Sequence, residues 1–372
     1  MMCQDPLTPT LSPGFGGEGR VRGVTRWCGL SSPSKILRKD RLASFLERLL
    51  QERIVFAPVR KEEVILIREI DSPSEVILEY RNAKESPKSV LFPQREALFR
   101  YRVEKGKAEV DVPSGAAKGR VLFGIRPCDA RGLLLLDKVF GGGCRDPYYT
   151  DKRTDTVVVS LGCADPNPSC FCLSMGGGPC SSEGSDVLLL DQGDRYIAEA
   201  VSEKGAALLE DQAFEKSDEE SLSLAEKTKN KAEASMQPVV KKENLEEELE
   251  RLFSDPVWKD LAESCLSCGI CTYLCPTCHC FDLCDEASGQ AGERIRVWDS
   301  CQFPLFTQQA SGFNPRPTVK ERFRQRIMHK LSYLPKSQSM TGCVGCGRCV
   351  TECPVNLDIR EVMVSLSEGN ER

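Results

Sequence analysis

Two runs of cysteine dominate the last third of this chain: Cys265-x2-Cys268-x2-Cys271-x3-Cys275-Pro276 and Cys343-x2-Cys346-x2-Cys349-x3-Cys353-Pro354. The spacing, closed by proline each time, is that of a loop holding a [4Fe–4S] cluster. A cubane needs thiolates from several directions at once. Short x2 steps let one tight loop supply three of them while the fourth arrives from elsewhere. In paired clusters of this kind the cysteine before the proline ligates the other cluster. Cys265, Cys268, Cys271 and Cys353 are therefore expected on one cubane, and Cys343, Cys346, Cys349 and Cys275 on the second.

Other uses of these thiols fit less well. A tetrathiolate zinc ribbon is built from pairs of CxxC knuckles and leaves the third x2 cysteine and the repeated Cys-Pro unexplained. A disulfide framework needs an oxidising compartment, and the chain does not begin with a basic segment, apolar stretch and small-residue cleavage site. Twenty cysteines against two histidines, His279 and His329, describe thiolate chemistry and leave little for haem ligation or a histidine general base. The net charge of −5 argues against a nucleic-acid partner, and no apolar run approaches the length of a membrane span. The expectation is a cytoplasmic protein of a reducing, anaerobic cell.

With 372 residues the chain can form more than one core. Residues 1–34 are rich in Pro, Gly, Ser and Thr without apolar periodicity and read as a disordered tail, consistent with a start codon placed too early. Leu42, Phe45, Leu46, Leu49 and Leu50 follow helical spacing. Short apolar, largely β-branched runs at Val64–Ile67, Val76–Leu78, Val121–Ile125, Thr156–Leu161, Val187–Leu190 and Tyr196–Ala198 read as strands, with a helix expected over Ala130–Phe140. Strand, crossover helix and strand make a βαβ unit, so residues 35–200 are expected to form an α/β domain. Residues 201–243 are highly charged and read as a solvated helical connector. From 244 to 372, apolar stripes at Leu245, Leu249, Leu252 and Phe253, and at Phe323, Ile327, Leu331 and Leu334, lead into the two cysteine runs. The fold class expected is thus an α/β (α+β) N-terminal domain followed by an all-helical two-cluster ferredoxin-type domain.

Surplus thiols surround these features. Cys278, Cys280, Cys284 and Cys301 crowd the first run and read as buried small hydrophobes, with a ligand swap or a further metal site as the other option. Arg348 lies inside the second run and either packs on its cluster, favouring the reduced form, or faces solvent. Cys128 follows the strand Val121–Ile125, and Cys163 follows Thr156–Leu161. If these strands are parallel, both thiols lie at the carboxyl edge where open sheets bind ligands, and Cys170 and Cys172 can return to it. Two readings stand for Cys128, Cys163, Cys170 and Cys172: a third [4Fe–4S] cluster, or thiols that only pack.

Several segments together resemble a known family. They are Phe123-Gly124-Ile125-Arg126-Pro127-Cys128-Asp129-Ala130, Cys170-Phe171-Cys172-Leu173-Ser174-Met175-Gly176, Cys275-Pro276-Thr277-Cys278-His279-Cys280-Phe281-Asp282 and Arg296-Val297-Trp298-Asp299-Ser300-Cys301. Asn314-Pro315-Arg316-Pro317 and Arg322-Phe323-Arg324-Gln325-Arg326 belong to the same pattern. The chain resembles the beta subunit of cytoplasmic sulfhydrogenases, which are NiFe hydrogenases, and is similar to the iron–sulfur subunit of anaerobic sulfite reductase. The likeness runs from about Lys35 to about Val364; Cys284 departs from the pattern, where an acidic residue is usual. It implies an electron-transfer subunit with two [4Fe–4S] clusters, working between a flavin- and NAD(P)-binding reductase subunit, which carries the FAD, and a hydrogenase or sulfite reductase catalytic subunit. The eight ferredoxin-type cysteines are the implied ligands, and no catalytic residue is implied here. The alternative is a flavin-binding oxidoreductase subunit that reduces a small acceptor.

Overall fold

The computed structural model describes residues 34–113, 118–239 and 245–367. Residues 1–33 of the expected tail lie outside these. Twelve strands are found among the described residues: β1 (Ser34–Arg38), β2 (Ile54–Lys61), β3 (Val64–Glu69), β4 (Arg95–Glu104), β5 (Lys107–Asp111), β6 (Arg120–Ile125), β7 (Thr156–Leu161), β8 (Val187–Asp191), β9 (Arg195–Ala200), β10 (Phe214–Lys216), β11 (Phe281–Ser288) and β12 (Ala291–Trp298).

Eight of them form one sheet in the order β10-β1-β9-β8-β7-β6-β2-β3. Its centre, β2, β6, β7 and β8, is parallel, and antiparallel strands flank it on both sides. Parallel strands are covered on both faces, which is why β7 is buried at every position. The helix Lys39–Glu52 packs Phe45, Leu46 and Leu49 on one face, where the Phe45 ring meets Phe123 and Phe214. Burial of a side chain like Phe45 is worth about 2–3 kcal/mol. The helix Pro127–Gly141, the crossover between β6 and β7, packs Leu133, Leu136 and Phe140 on the other face. The run Val76–Leu78 makes one isolated bridge, Val76 to Val59, and is not a strand. Within the charged stretch after residue 200, β10 joins the sheet edge beside β1. The helix Glu219–Ala234 buries Ala225 and Ala232 against Leu188 and Ile197.

The segment between the cysteine runs is not all-helical, which corrects the expectation. β11 and β12 form an antiparallel hairpin closed by Gly289-Gln290, with Ser288 opposite Ala291. Gly289 takes φ +62°, the backbone region that two-residue hairpin turns demand. β12 then pairs with β4, giving a second sheet in the order β11-β12-β4-β5. Arg296 on β12 is 2 % exposed and is held by Glu96 and Asp146. Trp298 donates Nε1–H to the Phe92 carbonyl at 3.0 Å and stacks on that ring. A buried ion pair and an aromatic stack thus fasten the hairpin to the α/β part.

Candidate metal centre

The two cysteine runs fold alike because their sequences share Cys-x2-Cys-Gly-x-Cys. Gly269 (φ +78°) and Gly347 (φ +75°) each reverse the chain just before a one-turn helix, Ile270–Tyr273 or Arg348–Thr351, that carries the third cysteine. A Cβ on Gly347 would lie 2.4 Å from Ser169 Oγ, and one on Gly269 would lie 2.8 Å from the Phe303 ring, so both turns need glycine twice over. Trp258, fully buried and bonded from Nε1 to the Leu252 carbonyl at 2.7 Å, anchors the approach to the first run.

The second run is approached along a helix, Val319–Met328, that widens into a π-turn at His329–Tyr333 before Leu334–Gln338. Pro335 has no N–H to give and its ring crowds the carbonyl four residues back, so the chain cannot keep tight α geometry there. Lys330 lies in this wide turn. Its Nζ reaches Cys275 Sγ at 3.2 Å, Thr277 Oγ1 at 3.1 Å and the Gly342 carbonyl at 2.9 Å.

Two adjoining cavities result. One is lined by Cys265, Cys268, Cys271 and Cys353, with Phe323 and Gln302. The other is lined by Cys275, Cys343, Cys346 and Cys349, with Lys330 and Phe171. Cys349, Arg326 and Ile359 line both, so no more than a shell of side chains separates them. Each cavity thus has three cysteines of one run and the proline-flanked cysteine of the other in its wall, and the first has Cys349 of the shared wall besides. Among the described residues no three Cys, His, Asp or Glu side chains are placed to hold one metal ion together.

The charges around the cavities test whether anionic clusters fit. Lys88, Arg326 and Lys330 are all at most 5 % exposed, and none has a carboxylate partner among the described residues. Arg326 Nε has no hydrogen-bond partner at all among them. Lys88 Nζ meets only the Thr272 and Cys278 carbonyls, at 3.2 and 2.9 Å, and the Trp298 ring. Buried cations without counter-ions are costly, and thiolate-bound cubanes carry the negative charge that would offset them. Burial opposes the charge on Arg326, but the sulfurs of Cys271 and Cys349 outweigh it and hold the guanidinium well above its ordinary value. For Lys330, burial is likewise outweighed by Cys275 and Cys278.

Arg348 does not face solvent but lies within electrostatic reach of Cys346. It is buried, and it grips Asp129 through two bonds of 2.6 and 2.9 Å and the Ala83 carbonyl at 2.8 Å, so its charge is neutralised. The surplus thiols divide. Cys278 lies against Cys275, and Cys280 lies against Cys301; Cys284 stands on β11, away from both cavities. His279 places Nδ1 3.0 Å from the Thr277 carbonyl and its ring near His329, and burial pushes its pKa down to about 4. Cys128, Cys163, Cys170 and Cys172 gather at the carboxyl edge of β6 and β7, beside the second cavity, where Cys170 Sγ is 3.6 Å from the Cys346 carbonyl.

Sequence reasoning gave no role to Lys88, Arg326 or Lys330. For two of them a signal was present. Arg322, Arg326 and Lys330 recur every four residues, a cationic stripe beside the apolar one on the same helix.

The 4Fe-4S dicluster domain family matches residues 264–357. Sulfhydrogenase 2 subunit beta of Pyrococcus furiosus is 34% identical over 336 residues, covering 90% of this chain and 98% of that relative. The chain belongs to the sulfhydrogenase subunit beta family. It is an iron–sulfur, electron-transferring type of oxidoreductase subunit, and all the cysteines that line the two cavities fall within the dicluster region. No solved structure matches the chain. Among the described residues no helix is long and apolar enough to cross a membrane.

Proposed function

We propose that this sulfhydrogenase beta-type chain relays single electrons through two [4Fe–4S] clusters within a larger cytoplasmic complex. Cys265, Cys268, Cys271 and Cys353 hold one cluster; Cys343, Cys346, Cys349 and Cys275 hold the other. The observation that carries this reading is the pair of adjoining cavities, each with three cysteines of one run and the Cys-Pro cysteine of the other in its lining and with Cys349 in the wall they share. Clusters bound this way accept and release one electron at a time and leave no iron open to substrate. The chain's own residues set the conditions: the Arg326 and Lys330 charges favour the reduced state, and the shared wall keeps the two sites close enough for an electron to pass.

Catalysis then belongs to partners. A flavin- and NAD(P)-binding reductase subunit stands on one side and a hydrogenase or sulfite reductase subunit on the other, with the hydrogenase favoured by the sulfhydrogenase relative. The test is the assembled complex carrying Cys268→Ser. Nicotinamide-linked turnover is expected to fall at least tenfold, while dye-linked activity of the catalytic partner persists. Unchanged nicotinamide-linked turnover in a variant shown to have lost the cluster would refute the relay.

A further inference from the structure

Beyond the paired cavities, one group of thiols is left without a role. Cys128 opens the helix after β6, and Cys163, Cys170, Cys172 and Cys180 lie on the long connection from Gly162 to Asp186 between β7 and β8. That connection contains only a single 3-10 turn, Leu173–Met175. Structureless connections longer than about 12–15 residues are uncommon within a compact domain and are usually functional. This one is well packed, with Phe171 fully buried and Cys172 and Cys180 each 7 % exposed. Cys163 is within electrostatic reach of Cys128, Cys170, Cys172 and Cys180. It sits at the centre of the group.

A second observation points to an anion there. Arg126 is 5 % exposed and bonds only to the carbonyls of Arg81, Leu161 and Gly162, at 3.0, 3.2 and 3.0 Å, with its guanidinium 4.0 Å over the Tyr80 ring. Asp129, the carboxylate within its electrostatic reach, is already gripped by Arg348. A buried cation thus lies within electrostatic reach of Cys128 and Cys163 with no carboxylate bonded to it, as at the paired cavities.

The site also abuts the second cavity. Phe171 N–H donates to the Gly345 carbonyl at 2.8 Å, and Cys170 Sγ lies 3.6 Å from the Cys346 carbonyl. The thiol-bearing connection is pressed against the second cysteine run.

We propose that Cys128, Cys163, Cys170 and Cys172 hold a third [4Fe–4S] cluster, which lengthens the relay from the second cavity to the carboxyl edge of the large sheet. The proposal extends the two-cluster reading and relies on it only for the neighbouring site. Arg126 supplies the counter-charge. Cys180, packed against Gly162 and Leu190 on the sheet side, is the spare thiol.

The test uses the anaerobically purified full chain, with metal analysis, native mass spectrometry and EPR of the reduced protein. The expected result is about 12 irons per chain in three cluster masses, falling to about 8 in Cys163→Ala/Cys170→Ala with the spin-coupled signal of the pair intact. Wild-type protein with about 8 irons, or zinc at the third site, overturns the proposal. So does a double variant that keeps 12. If the double variant fails to fold, the wild-type count decides. Failure of the two-cluster reading would look different, because the spin-coupled signal itself would be missing.

Discussion

Arg326 offers the sharpest perturbation. Its guanidinium is buried, lacks a carboxylate among the described residues and lines both cavities. Replacing it by methionine removes one positive charge beside two sites that each gain one negative charge on reduction. With an effective dielectric constant of about 20 and a separation of roughly 7 Å, the lost attraction is about 2.4 kcal/mol per cluster. For a one-electron step that lowers each potential by about 100 mV. Burial keeps added salt from screening the effect. EPR-monitored redox titration of wild type, Arg326→Met and Arg326→Lys should show both potentials dropping in the first variant and largely held in the second. The double variant Arg348→Met/Asp129→Leu removes an already neutral pair and should shift the potentials by less than about 30 mV. Potentials that stay put in Arg326→Met, or rise, would refute the argument that this cation sets the clusters' charge balance.

Other expectations follow from the same geometry. Lys330→Met, which loses the 3.2 Å contact to Cys275, should lower the potential of the second cluster more than that of the first, separable in the same titration. Cys268→Ser should cost the chain about four irons, whereas Cys284→Ser, on the far hairpin, should cost none, as counted by iron and acid-labile sulfide analysis. Arg296→Met leaves Glu96 and Asp146 partly unpaired at the junction of the two sheets and should cost about 3–5 kcal/mol, read as faster proteolysis across β11 and β12 and a lower melting temperature.

Three of the four parallel strands, β6, β7 and β8, were legible because fully buried strands are runs of apolar, β-branched residues, as in Val157-Val158-Val159, and the Leu133–Leu136 run between β6 and β7 has the length of a crossover helix, whereas β2 was missed, its run interrupted by Pro58. The short and exposed strands β1, β5 and β10 were not legible. β1 and β10 are short and partly exposed, and β5 is exposed at every position, so burial leaves no alternating mark on them. The hairpin between the cysteine runs was hidden for a related reason. β11 is exposed along nearly its whole length, and β12 alternates arginine with Ile295 and Val297, which reads as a charged surface until Arg296 is seen to be buried in an ion pair. A signal did exist in Ser288-Gly289-Gln290, a turn between two stretches of equal length. At the site, cysteine spacing specified which thiols gather, because short loops leave the backbone little choice. The cations could not be placed from sequence: an arginine on a helix is ordinarily solvated, and only the packing of Arg326 and Lys330 between two sets of sulfurs turns them into counter-charges.

The most direct test of the relay is EPR of the anaerobically purified, dithionite-reduced chain, quantified against its iron content. Two cubanes sharing a wall should give a broadened, spin-coupled spectrum whose interaction between the paired clusters is lost in Cys268→Ser. Four or fewer irons in the intact chain, or two signals that show no coupling, would contradict the cross-ligated pair.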